Sequence, residues 1–247
     1  MTPTVITVSG VPPDVATCLL PGTPPPPALI HLTTACIPAM TWPGFNALPE
    51  AVYAAGWSAL SLDLPGHGTN LHPGEGDNGL VNWAQRVRDG ENVVDTATTQ
   101  LRNLIAYLIS SNYAEAGRIV LSGLSRGGFL AMHAASSIAE VAAAVAFMPV
   151  TSLSVLDEFS GSLNSWIVRK TDLGNAFNST KPVYIECGHR DTRISTGEVA
   201  RNVSAMLNRL PDTNQIECHI APGVADGHYV PVGACSRAAA WLNAKVQ

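Results

Sequence analysis

Runs of four to seven mostly apolar residues alternate along the chain with longer stretches whose apolar positions recur at steps of three, four and seven. The first pattern marks strands and the second marks helices that bury one face. Thr4 to Val8 and Val15 to Leu20 flank the turn Gly10-Val11-Pro12-Pro13 and predict an N-terminal β-hairpin. Pro24 to Pro27 cannot donate ladder hydrogen bonds and read as a connector. Further strands are predicted at Ala28 to Leu32, Trp57 to Leu62, Arg118 to Ser122, Val141 to Phe147, Val183 to Glu186 and Ile216 to Ile220. Between them lie helical patterns at Phe45 to Ala55 and Gly127 to Ser136. A long amphipathic helix follows from Trp83, carrying Val87, Val94, Leu101, Leu104, Ile105 and Leu108, with Gly90 breaking its first turns. Val199, Val203, Met206, Leu207 and Leu210 form one late stripe, and Cys235, Ala238, Ala239 and Leu242 another. Strands separated by helices of this length need crossover connections, so the expectation is α/β: a mostly parallel central sheet with helices on both faces. One domain spans residues 1–247, and the irregular apolar stretch 151–178 reads as a small or minimal cap inserted in it.

Composition narrows the classes. Only 13% of residues are charged, against roughly 25% in an average domain. The net charge of −5 comes with scattered Lys and Arg, which argues against a nucleic-acid binder. No apolar run approaches the roughly 18 residues that span a bilayer, so no membrane partner is expected. The start MTPTVITVSG lacks a basic region followed by an apolar stretch. A cytoplasmic location is therefore expected, with secretion left open should a leader have preceded it. Five cysteines (Cys18, Cys36, Cys187, Cys218, Cys235) form no CxxC pair. They read as buried thiols in a reducing compartment, with a disulfide left open. Oligomeric state is not legible.

The chemistry concentrates in Gly123-Leu124-Ser125-Arg126-Gly127-Gly128, which follows a predicted strand and opens a predicted helix. That context is the one a G-x-S-x-G nucleophile elbow requires. The turn is sharp enough that residues two before and two after the serine crowd each other, which calls for Gly123 and Gly127. A serine hydroxyl needs a base to take its proton and an acid to orient that base. Asp191 lies in the loop after the Val183 to Glu186 strand, and His228 in the loop after the last strand. Both sit at carboxyl ends of strands, where sites of open α/β sheets gather. Asp226, two residues before His228, and Asp157 or Glu158, after the Val141 to Phe147 strand, are alternative acids. His67, His72, Glu75 and Asp77 match no compact ligand spacing and read as a solvated loop rather than a metal site. His133, about two helical turns beyond Ser125, reads as packed, and His219 within a strand reads as structural. Trp42, Met148, Phe159 and Trp166 are pocket candidates whose ordinary reading is core.

With these motifs in place, the chain resembles the α/β-hydrolase fold serine hydrolases over nearly its whole length. The loop Asp63-Leu64-Pro65-Gly66-His67-Gly68 is similar to the D-x-P-G-H-G segment common after that family's fourth strand. The Ser-Arg-Gly-Gly elbow and the sparse cap look similar to the prolyl-oligopeptidase and dienelactone-hydrolase-like branches. The resemblance implies Ser125 as nucleophile, His228 as general base and then acid, and Asp191 as the residue orienting His228. It also implies an oxyanion hole made by the N–H of Arg126 and one from the loop after His31. Many members carry His-Gly there, whereas this chain reads His31-Leu32-Thr33-Thr34-Ala35, so Thr33, with Thr34 close behind, is the second donor expected. The expected activity is cofactor-independent and metal-free hydrolysis of a small-molecule carboxylic ester through an acyl-enzyme. Thioesters, lactones and amides on the same residues are alternatives, as is a non-catalytic ligand-binding protein on this scaffold.

Overall fold

In the computed structural model, the described residues are 1–247 except 21, 23, 211–214, 223–225 and 247. Period-two alternation sorts the strand side chains to two sheet faces. In β3 (Ala28–Leu32), Ala28, Ile30 and Leu32 enter one core while Leu29 enters another. The same split runs through β5 (Ile119–Leu124), where Ile119 and Leu121 oppose Val120, and β6 (Val141–Phe147), where Ala144 and Ala146 oppose Ala143, Val145 and Phe147. Burial on both faces explains why these strands read as continuous apolar runs.

The remaining strands are β1 (Thr4–Ile6), β2 (Val15–Cys18), β4 (Ser58–Leu62), β7 (Val183–Gly188) and β8 (Ile216–Ala221). All eight join in one sheet of order β1-β2-β4-β3-β5-β6-β7-β8. The predicted hairpin is present, with β1 antiparallel to β2 and Thr4 opposite Thr17. The second strand pairs antiparallel with β4, and every later neighbour is parallel.

One face is covered by α3 (Gly79–Arg88), α4 (Val93–Ser110), α5 (Arg126–Ser137) and α8 (Thr196–Leu207). The other is covered by α1 (Cys36–Thr41), α2 (Ala47–Ala54) and α9 (Ala234–Lys245). The helix expected from Trp83 is two helices. Gly90 at φ +91° ends the first, and Asn92 caps the second by accepting from the Val94 N–H. The short helix α1 was not foreseen. Its Pro38 sits in the first turn, where no N–H is needed, and the Cys36 N–H is capped by Asp63 from 27 residues away.

Residues 151–178, between β6 and β7, fold as 3₁₀ turns at Leu153–Val155 and Asp157–Ser162 followed by α6 (Trp166–Lys170) and α7 (Leu173–Ala176). Phe159, Ile167, Leu173 and Phe177 anchor this stretch in the main core. Among the described residues no helix is long and apolar enough to cross a membrane. The five cysteines are free; Cys18, Cys36 and Cys187 are buried, but Cys218 and Cys235 are only partly so. Cys218 lies on β8, which among the described residues has a neighbouring strand on one side only.

Candidate active site

The strand β5 runs straight into α5, and Ser125 is the junction. Its backbone sits at φ +53°, ψ −115°, a region costing a non-glycine residue on the order of 1–3 kcal/mol. The surroundings hold it there. The Ser125 N–H donates to the Phe147 carbonyl at 2.9 Å, and its carbonyl accepts from the N–H groups of Phe129 (3.1 Å) and Val150 (3.2 Å). The glycines are required sterically. A Cβ on Gly123 would lie 2.3 Å from the Gly127 carbonyl carbon, and one on Gly127 would lie 1.9 Å from the Leu32 carbonyl oxygen. The second clash has a further meaning: the end of β3 touches the start of α5. Thr33 and Thr34 therefore leave the sheet beside the elbow.

Asp191 and His228 meet. His228 Nδ1 lies 2.7 Å from Asp191 Oδ2, with the carboxylate side chain 2% exposed. Asp191 Oδ1 accepts from the N–H groups of Arg193 and Ile194, both at 2.8 Å. Burial alone would raise the Asp191 pKa, but the hydrogen bonds from His228 and Ile194, with the charge of His228 and the Arg193 N–H, outweigh it and hold the carboxyl below its ordinary value. With Nδ1 engaged by a carboxylate, the ring presents Nε2 as its second nitrogen. That atom is covered and has no hydrogen-bond partner among the described residues. The His228 loop is tied to the Asp191 loop by the Gly227 N–H, which donates to the Arg190 carbonyl at 3.1 Å.

The alternative acids are spent elsewhere. Asp226 pairs with Arg190 at 2.8 Å, and Glu158 Oε1 pairs with Arg193 at 2.5 Å. Asp157 is exposed on the surface. The elements carrying Ser125, Asp191 and His228 are β5, β7 and β8, parallel members of one sheet with all three residues beyond carboxyl ends.

Around the elbow, Thr33 is buried and its Oγ1 has no hydrogen-bond partner among the described residues. The Thr34 carbonyl accepts from the Leu64 N–H at 3.0 Å, which fixes this loop to the end of β4. Asp63 continues the same anchoring. Its Oδ1 accepts from Cys36 N–H at 2.7 Å, and its Oδ2 from the Thr69 N–H at 2.6 Å and hydroxyl at 2.8 Å.

The solvated-loop expectation holds for His72 and Asp77 and is corrected for His67 and Glu75. His67 is 8% exposed, packed on Gly79 and edge-on to Trp83, because Pro65 and Gly66 turn the chain back under α3. Glu75, partly buried, pairs with the buried Arg86 at 2.6 Å. His72 and Asp77 remain exposed, so the four do not share an environment. His67 Nδ1 donates to the Pro65 carbonyl at 2.9 Å and Nε2 faces Arg126 Nη1 at 2.8 Å. This contact between loop and elbow was missed; the only signal for it was the position of Arg126 directly after the serine. His133 is packed as expected, with Nε2 on the Thr171 carbonyl at 2.8 Å. His219 lies in β8 beside Glu217. Met148 and Phe159 are core, but Trp42 and Trp166 are 58% and 55% exposed and belong to no core.

Comparison with known proteins agrees with the fold. A model of the alpha/beta hydrolase family matches residues 19–234, and the chain belongs to that family. A search of curated proteins found no match. Among solved structures, an esterase from Pyrococcus furiosus is 17% identical, with 100% of this chain and 93% of that one covered at a TM-score of 0.66. A carboxylesterase from Lactobacillus plantarum is 14% identical, with 99% and 98% covered, also at 0.66. A candidate dipeptidyl aminopeptidase IV from Bacteroides ovatus is 13% identical at a TM-score of 0.73; 99% of this chain aligns with 35% of that larger one. At these identities the structural likeness is one of fold.

Proposed function

We propose that the chain is a serine hydrolase acting on small carboxylic esters without a cofactor. The observation that carries the reading is the Asp191–His228 hydrogen bond of 2.7 Å, with Nε2 covered and without a partner among the described residues, at the carboxyl end of the sheet where Ser125 is held in a strained turn. With Nδ1 held by Asp191, Nε2 is the ring nitrogen left to take a proton. In the mechanism, Ser125 Oγ attacks the ester carbonyl while His228 Nε2 takes its proton. Asp191 holds the ring through Nδ1 and stabilises the imidazolium that forms. The backbone N–H of Arg126, first residue of α5, and that of Thr33 or Thr34 bind the oxyanion. His228 then protonates the departing alcohol, and a water activated by the same nitrogen releases the acid from Ser125.

Residues 151–178 act as a small cap rather than a full lid, which suits small or medium substrates. Family membership and esterases of the same fold support hydrolysis as the reaction. A panel with an ester, a thioester, a lactone and an anilide separates the carboxylic ester from the other acyl groups the same residues could cleave. The decisive measurement pairs Ser125→Ala with fluorophosphonate labelling. The native chain is expected to label and to hydrolyse p-nitrophenyl butyrate, and the folded variant to do neither. Undiminished turnover by folded Ser125→Ala would sink the reading.

A further inference from the structure

A cavity of about 590 Å³ opens beside the elbow, lined among others by Thr34, Ala35, His67, Asp77, Asn78 and Arg126. Its cation is unusual. A guanidinium carries five N–H donors, and Arg126 gives one to His67 Nε2. No carboxylate among the described residues comes within ion-pair distance of it. The partner it does have is neutral. His67 spends its Nδ1–H on Pro65, so Nε2 is a lone pair, and burial together with the Arg126 charge pushes this histidine down to about 4. His67 thus orients the guanidinium without cancelling its charge.

The neighbouring charges leave a surplus. Glu158 acts on Arg126 at longer range, but its Oε1 is committed to Arg193, so these three side chains sum to one positive charge. Asp77 supplies the one carboxylate of the lining and is exposed, where water and salt screen it. Burial lowers the Arg126 pKa to about 10, still leaving it protonated at neutral pH. A desolvated cation whose other fork-shaped donors have no partner among the described residues, beside a cavity, is a receptor for a planar anion. One surplus charge matches a carboxylate better than a dianionic phosphate.

We infer that this cavity receives a carboxylate carried by the substrate, with Arg126 as the residue that binds it and His67 as the residue that positions Arg126. The inference rests on the serine-hydrolase reading, since Arg126 directly follows the nucleophile of that reading. It names the substrate class as esters bearing an acid group on the acyl or the alcohol side.

Two substrate pairs test it: mono-p-nitrophenyl succinate against p-nitrophenyl butyrate, and 4-acetoxybenzoate against methyl 4-acetoxybenzoate. The native chain should favour the charged member of at least one pair by roughly tenfold or more in kcat/KM, mostly through KM. In Arg126→Gln that ratio should fall to about one or below, with Arg126→Lys between them. The ratio within each protein is the readout, so any general loss of rate cancels. Should Arg126→Gln not fold, competition on the native chain decides: glutarate should inhibit turnover of p-nitrophenyl butyrate competitively, and butyramide should not. Turnover with no preference in either pair, a ratio that survives in folded Arg126→Gln, or no inhibition by glutarate overturns the anion site and leaves the esterase reading standing. No turnover of any of the four esters and no fluorophosphonate labelling overturns both.

Discussion

At the scale of single residues, the elbow is decided by the absence of two side chains. A Cβ on Gly127 would press on backbone, the Leu32 carbonyl, which cannot rotate away as the end of a flexible side chain would. Gly127→Ala is therefore expected to cost about 3 kcal/mol or more in chemical denaturation. Gly161→Ala, with nothing within 4 Å of its new methyl, should stay within about 0.5 kcal/mol. Equal costs for the two would show that crowding does not select glycine at the elbow. Asp191 tests the orienting role. Asp191→Asn keeps the size of the side chain but offers an amide where His228 Nδ1–H now finds a charged acceptor, so the ring can settle with the wrong nitrogen protonated. A fall in kcat of about 10⁴ with little change in KM is expected, and a fall below tenfold would mean another group orients His228. As candidates, Ser125, Asp191 and His228 could be picked out because each follows a strand in a recognisable local pattern. The contact between Arg126 and His67 could not, because the two are 59 residues apart and His67 looked like one polar residue among several in a loop.

At the scale of elements, strands were legible wherever both faces are buried, since an apolar run such as Val141 to Phe147 states its own limits. The helix α1 was not, because what starts it is not local. Its first N–H is capped by Asp63, which also gathers the Thr69 N–H and hydroxyl after a turn made by Gly66 and Gly68 at φ +72° and +55°. One carboxylate thus ties the end of β4 to the loop of Thr33 and Thr34 and to the segment that brings His67 under Arg126. Asp63→Ala leaves the buried Cys36 N–H without its acceptor and turns the Thr69 N–H and hydroxyl to water, so a loss of about 1–3 kcal/mol is expected. Asp157→Ala, on an exposed carboxylate, should lie within about 0.5 kcal/mol of the native chain. If Asp63 positions the oxyanion loop, the variant should also lose kcat on p-nitrophenyl butyrate at temperatures where it remains folded. Lost stability with unchanged kcat would confine Asp63 to the scaffold.

At the scale of the molecule, the scarcity of charge has a consequence for pH. A domain that buries both faces of its sheet buries histidines with them: His31 on Ser122 at 2.7 Å, His67 on Pro65, and His133 on Thr171. In each, burial is the main cause that lowers the pKa from 6.5 to about 4. The unfolded chain therefore binds more protons than the folded one between those two values, and folding stability rises with pH across that window. Above pH about 6.5 the three histidines are neutral in both states and the stability is intact; as pH falls towards about 4 it is progressively lost. Asp191 adds its share lower down, because its depressed carboxyl must be protonated only as the fold gives way. Each histidine contributes on the order of 3 kcal/mol at most, and three together approach the whole stability of an ordinary domain, about 5–15 kcal/mol. The expected outcome is acid unfolding that begins near pH 6 and is far advanced by about pH 4.5, followed by circular dichroism or by urea midpoints at stepped pH. His133→Gln keeps a donor for the Thr171 carbonyl but cannot take up a proton, so it should remove about one third of the slope. A urea midpoint that stays flat from pH 6.5 to 4.5 would mean that these rings accept protons without cost, and that the core around them is more open than its packing indicates.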